Sequence, residues 1–135
     1  MSNVAMTTEL TVLAWSVILL LVTIVFQAAT TTASVGLDYN VSNRDEGRQP
    51  RSATAQRAKR ALANFLETDP AFVGLALALA VTGKSGGIGA SGAILWIVAR
   101  ALFVPIYVIG VPYIRTLAWA ASIIGLVMML ARLMG

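Results

Sequence analysis

The chain has 135 residues, 58% of them hydrophobic and 12% charged, with a net charge of +4 and a mean hydropathy of +0.80. That balance excludes an ordinary water-soluble domain, whose core could not hide so much apolar surface. Cysteine and histidine are both absent, which excludes disulfides, thiol chemistry by the chain itself and any His- or Cys-based metal or catalytic site.

Crossing about 30 Å of hydrocarbon takes roughly 20 apolar residues as a helix, and four runs of that order stand in the sequence. The first extends from Leu10 to Ala33. Its small residues Ala28 to Ser34 suggest a cleavage site, but no Lys or Arg precedes it and the apolar run is far longer than a signal core, so a retained helix is expected. The basic loop 36–57 follows, the one polar stretch of any length, with Arg44, Arg48, Arg51 and Arg57 and then Lys59 and Arg60. The remaining spans are Ala61 to Thr82, Ala90 to Ile109 and Ile114 to Leu133, which together predict an all-α membrane protein built as a four-transmembrane-helix bundle.

Short loops rich in Lys and Arg stay on the cytoplasmic side. The basic loop and Arg115 define that side against Lys84 and Arg132 on the other. Both termini are then expected on the non-cytoplasmic side of a multi-pass protein of the inner (plasma) membrane. A cationic loop beside membrane segments points to anionic head groups rather than nucleic acid. Gly83-Lys84-Ser85-Gly86-Gly87 has the wrong order for a phosphate loop, since its glycines follow the Gly-Lys-Ser instead of preceding it, and is expected to be a turn. Gly110-Val111-Pro112 predicts a tight hairpin between the last two spans. Gly74 and Ala78 would permit close helix contacts.

Charge at bilayer depth costs several kcal/mol unless paired or hydrated. At 1.5 Å per residue Glu67 lies about 9 Å and Arg100 about 13 Å from the cytoplasmic boundary, which predicts an ion pair between them. Arg57, Arg60, Asn64 and Glu67 share one helix face at 3-4-3 spacing, and Trp96, Arg100, Phe103 and Tyr107 share another at 4-3-4. The two stripes are expected to line a cleft open to the cytoplasm. That centre requires Glu67 and Arg100 to face one another and Arg115 to face inward. Pro105 predicts a kink near Tyr107.

Arg60-Ala61-Leu62-Ala63-Asn64-Phe65-Leu66-Glu67-Thr68 resembles the Arg-Ala-x-x-Asn-x-x-Glu-Thr pattern of a helix in the MAPEG family, the membrane-associated proteins of eicosanoid and glutathione metabolism. Val98 to Tyr107 is similar to that family's Val-x-Arg-x-x-His-x-x-x-Tyr, with Phe103 at the histidine, and Arg115-Thr116 with Trp119 falls near its Arg-Ser and following Tyr. The resemblance to bacterial members implies a homotrimer that holds glutathione between subunits and meets a hydrophobic small-molecule substrate in the bilayer. It implies that Arg115 and Thr116 are catalytic, acting on the glutathione sulfur. It also implies that Arg60, Asn64, Glu67, Arg100, Tyr107 and Trp119 bind the tripeptide, with no metal. Ala63 stands where glutathione-using members commonly have arginine, and Gln27 to Val35 contain no arginine. Two readings follow: a glutathione-dependent transferase or peroxidase, or a non-catalytic lipid-binding or scaffold protein of the same fold. A small proton-coupled exporter would need an acid in the first span, where Leu10 to Ala33 has none.

Overall fold

A computed structural model describes residues 5–135. The chain order is α1 (Thr8–Val35), α2 (Leu37–Asn40), α3 (Ala53–Val81), α4 (Gly87–Ile109) and α5 (Pro112–Met134), with no strand among the described residues. Four of these helices are long and apolar enough to cross a membrane, and the protein is a multi-pass membrane protein.

Each boundary has a local cause. Thr7 caps α1 by accepting from the Leu10 amide at 3.2 Å, satisfying a donor that the first helical turn leaves over. Ser52 does the same for α3, accepting from Ala55 at 3.3 Å. The Ser34 hydroxyl, at the end of α1, accepts from the Arg51 amide at 2.8 Å. This capping lets α3 begin at Ala53, eight residues before the apolar run at Ala61, so the basic loop is shorter than expected and part of it is helix. Gly110 ends α4 in the left-handed conformation at φ 94°, and Pro112 opens α5, a pairing that suits a tight hairpin.

α1 is apolar outside and partly polar inside. Its buried positions include Glu9, Ser16 and Thr23, seven residues apart, whereas Trp15, Val22 and Val25 are exposed. The two hydroxyls donate at 2.7 Å to Leu13 and Leu19 carbonyls within the helix. A helix that bonds its own polar groups and turns its apolar face outward is one whose solvent is lipid.

The core centres on Trp96, stacked on Phe72 with ring centroids 3.9 Å apart and met edge-on by Phe65 at 5.8 Å. Val12, Leu79, Ala93 and Met129 close around it. Trp96 therefore belongs to the packing and not to a cleft.

α4 and α5 approach most closely at Gly92 and Gly125. A Cβ at Gly125 would lie 2.5 Å from the Gly92 carbonyl oxygen and 2.9 Å from the Trp96 amide nitrogen, whereas one at Gly74 would meet nothing within 4 Å. Close contact thus falls on the hairpin rather than on Gly74. Gly125→Ala is expected to destabilise by about 1–3 kcal/mol through overpacking. Gly74→Ala should show no such loss, with thermal denaturation in detergent deciding between them.

Opposite the basic loop, the Gly83–Gly87 turn is tied down from two helices, α1 and α5. Glu9 accepts from the Gly86 amide at 3.0 Å, Lys84 Nζ donates to the Leu133 and Gly135 carbonyls at 2.9 and 3.1 Å, and Arg132 donates to the Lys84 carbonyl at 2.8 Å. Lys84 is a helix cap here, bonding carbonyls that the end of α5 leaves over.

Candidate functional site

The α3, α4 and α5 helices form a polar pocket of ≈ 270 Å³ toward the basic-loop end, lined by Asn64, Phe103, Tyr107, Arg115, Thr116 and Trp119. Tyr107 is its centre. The Arg115 guanidinium carbon sits 4.7 Å from the centre of the Tyr107 ring, and that of Arg60 sits 5.9 Å away. Arg60 Nε also donates to the Tyr107 hydroxyl at 3.1 Å. Two cations thus stand against the phenol, whose own proton is left to donate. Neither cation is within salt-bridge distance of a carboxylate among the described residues, where Arg48 with Glu46 is the one such pair. The pocket therefore presents unneutralised positive charge, suited to an anionic ligand.

Behind it lies Arg100, fully buried. It donates from Nη1 to Asn64 Oδ1 at 2.7 Å and from Nη2 to Thr68 Oγ1 at 2.8 Å, and its guanidinium carbon lies 5.0 Å from the Phe103 ring centre. The expected Glu67–Arg100 ion pair does not form. Asn64 and Thr68, four residues apart, share the face of α3 turned to α4, and their short neutral groups reach the guanidinium. Glu67, one position before Thr68, is rotated by about 100° and is exposed. The centre required both the mutual facing of Glu67 and Arg100 and the inward facing of Arg115; the first fails, so that centre is not formed as expected, and what stands in its place is the pocket that Arg115 lines with Asn64 and Tyr107.

The two sequence stripes are divided among tasks. Arg57 leaves the cleft to donate to the Val108 and Ile109 carbonyls at 3.5 and 3.3 Å, capping α4. Arg60 and Asn64 remain beside the pocket, and Arg100 orients Asn64 from behind. Trp119 and Thr116 line the pocket, but Thr116 Oγ1 donates to the Pro112 carbonyl at 3.2 Å. Its single proton is thus already engaged in the helix.

Sequence reasoning gave no role to Thr68, which holds half of Arg100's bonding, and passed over Asp69 and the fully buried Glu9. Asp69 carries the same signal that singled out Glu67, a carboxylate inside an apolar span.

The fold and its basic pocket define a four-span all-α membrane protein with a polar site set into the helices near one membrane face. The chain belongs to the MAPEG family, whose model matches residues 12–135, nearly the whole chain. It is accordingly a membrane protein of the family of glutathione and eicosanoid metabolism. Neither the curated proteins nor the solved structures compared with it gave a match.

Proposed function

We propose that the pocket around Tyr107 binds glutathione and that the protein joins the intact tripeptide through its sulfur to a lipophilic electrophile, or uses it to reduce a lipophilic peroxide, at the membrane. The observation that carries this reading is the pair of unneutralised guanidiniums, Arg60 and Arg115, against Tyr107. Their chemistry fits a tripeptide with two carboxylates and a thiol. Arg60 would hold a carboxylate, Asn64 an amide, and the Tyr107 hydroxyl a peptide oxygen. Arg115 would stand by the sulfur, where a fixed cation favours thiolate over thiol as it does for activated cysteines. Glutathione supplies that nucleophile. The chain's own residues orient it and keep its negative charge in place. Thr116 would help only by turning its hydroxyl away from Pro112.

A cavity of ≈ 270 Å³ falls just below the roughly 300–1,000 Å³ of small-molecule sites, which supports a further wall from a neighbouring copy in a homotrimer. The exposed carboxylate of Glu67 would find its role at such a boundary. The loop cations against Lys84 and Arg132 support a cytoplasmic basic loop, outward termini and residence in a bacterial inner membrane. The second reading, a lipid-binding or scaffold protein without catalysis, is favoured by Ala63 and by the lack of arginine from Gln27 to Val35.

Titration of the protein in nanodiscs with glutathione separates the two: saturable binding at cellular concentrations supports the first, and its absence leaves the second. Tyr107→Phe removes one hydroxyl and is expected to weaken that binding by about 0.5–1.5 kcal/mol, one hydrogen bond, measured in the same titration.

A further inference from the structure

On the side of α4 away from the polar pocket, two apolar cavities lie end to end between α1 and α4. One, of ≈ 340 Å³, is lined by Leu19, Val22, Phe26, Val104, Val108 and their neighbours. The other, of ≈ 360 Å³, continues toward Val12. Leu19, Val22 and Ala101 line both, so the two form one groove. From Val12 to Phe26 it runs about 21 Å along α1 at 1.5 Å per residue. Ala101, which has almost no side chain, and the compact ring of Pro105 form its floor on α4.

The groove is apolar along its length and cationic at one end. Val108 and Ile109 close it at the basic-loop end, and their carbonyls are the ones that accept from Arg57 Nη1. Because both bonds use the same nitrogen, Nε and Nη2 are left for an acceptor outside the helix. Cavities of this volume spread over such a length make a shallow trough. It suits one hydrocarbon chain and is far too narrow for a helix, about 10 Å across.

We infer that the α1/α4 groove is a binding site for an anionic phospholipid of the surrounding bilayer, with one acyl chain in the groove and the phosphate on Arg57. The site is separate from the pocket around Tyr107, since the two share no lining residue and the Phe103–Tyr107 face is centred about 110° around α4 from that of Ala101, Val104 and Val108. It stands whether or not glutathione binds. The occupant follows from charge complementarity: a linear apolar channel ending in a guanidinium matches an anionic amphiphile, and the bilayer supplies one at that depth.

The test uses the intact protein in phosphatidylcholine nanodiscs with a photoreactive phosphatidylglycerol carrying a diazirine on one acyl chain. Labelled peptides are then identified by mass spectrometry. Label should concentrate on α1 from Leu19 to Phe26 and on α4 from Ala101 to Ile109. Unlabelled phosphatidylglycerol should compete about fivefold better than phosphatidylcholine, the worth of one guanidinium against an anionic lipid. Ala101→Phe, which fills the groove from an exposed position, should remove most of the label without lowering the melting temperature. Arg57→Gln should abolish the preference for the anionic competitor while Arg57→Lys keeps it. Because Arg57 also caps α4, the competition on the unmodified chain decides by itself if Arg57→Gln fails to fold. Label spread evenly onto lipid-facing positions such as Ile124 and Leu130 of α5, no label in the groove because another copy covers it, or equal competition by the two lipids would each overturn the proposal.

Discussion

Arg115→Ala will abolish the thiolate absorbance of bound glutathione and lower kcat/KM toward a lipophilic electrophile by about 10²–10³, the usual cost of one lost charge-stabilising group in an active site. The expectation rests on where the guanidinium stands. It lies against the Tyr107 ring at 4.7 Å, on the wall of the pocket and without a carboxylate partner among the described residues. Its charge is therefore available to a ligand rather than spent on the fold. Its half-exposed position at the start of α5 means that truncation leaves the helices packed, and an unchanged melting temperature will separate lost chemistry from lost structure. Arg115→Lys should retain part of the thiolate signal, because an ammonium keeps the charge but not the planar stacking on tyrosine. An alanine variant that still ionises the thiol would show that Arg115 is not the activating group, and would leave Arg60 as the cation to examine.

The four spans and the hairpin at Gly110 to Pro112 were legible because bilayer thickness sets a length and glycine and proline mark the ends. The start of α3 was not, since a polar amphipathic turn capped by Ser52 carries no hydropathy signal. In the site, helical spacing put Asn64, Phe103 and Tyr107 on the two stripes and the family resemblance added Arg115, Thr116 and Trp119, and these six line a single pocket. Spacing also placed Arg57, Glu67 and Trp96 there, and each went elsewhere: to a helix end, outward, and into an aromatic stack. Periodicity gives a residue's angle around its own helix. It does not give the rotation of the neighbour, and that rotation decided whether Arg100 met a carboxylate or a pair of neutral oxygens. Nor does it reveal that Lys84 and Arg57 bond terminal carbonyls, because such partners are backbone atoms supplied by another helix.

The bonding of Arg100 leads to the second large effect. A double variant Asn64→Leu, Thr68→Val that keeps Arg100 should lose about 3–5 kcal/mol, the cost of leaving a buried charge without partners. Adding Arg100→Met to that pair should recover most of the loss, because an apolar side chain of similar length needs no acceptor and fills the same space between Phe65 and Phe103. Glu67→Gln, by contrast, should change stability of the isolated chain by no more than about 0.5 kcal/mol, as expected of an exposed position. Reversible unfolding in a detergent that keeps the chains apart measures all three. The ordering is the informative result: a triple variant more stable than the double would mean that Asn64 and Thr68 are there to compensate the guanidinium. A large loss from Glu67→Gln would instead restore the ion pair. Neutral acceptors also have a functional logic. A carboxylate bonded to Arg100 would cancel its charge, whereas Asn64 and Thr68 accept one bond each from Nη1 and Nη2, Nε being left without a partner among the described residues, and the charge stands behind the pocket, where it adds to the attraction of Arg60 and Arg115 for an anion.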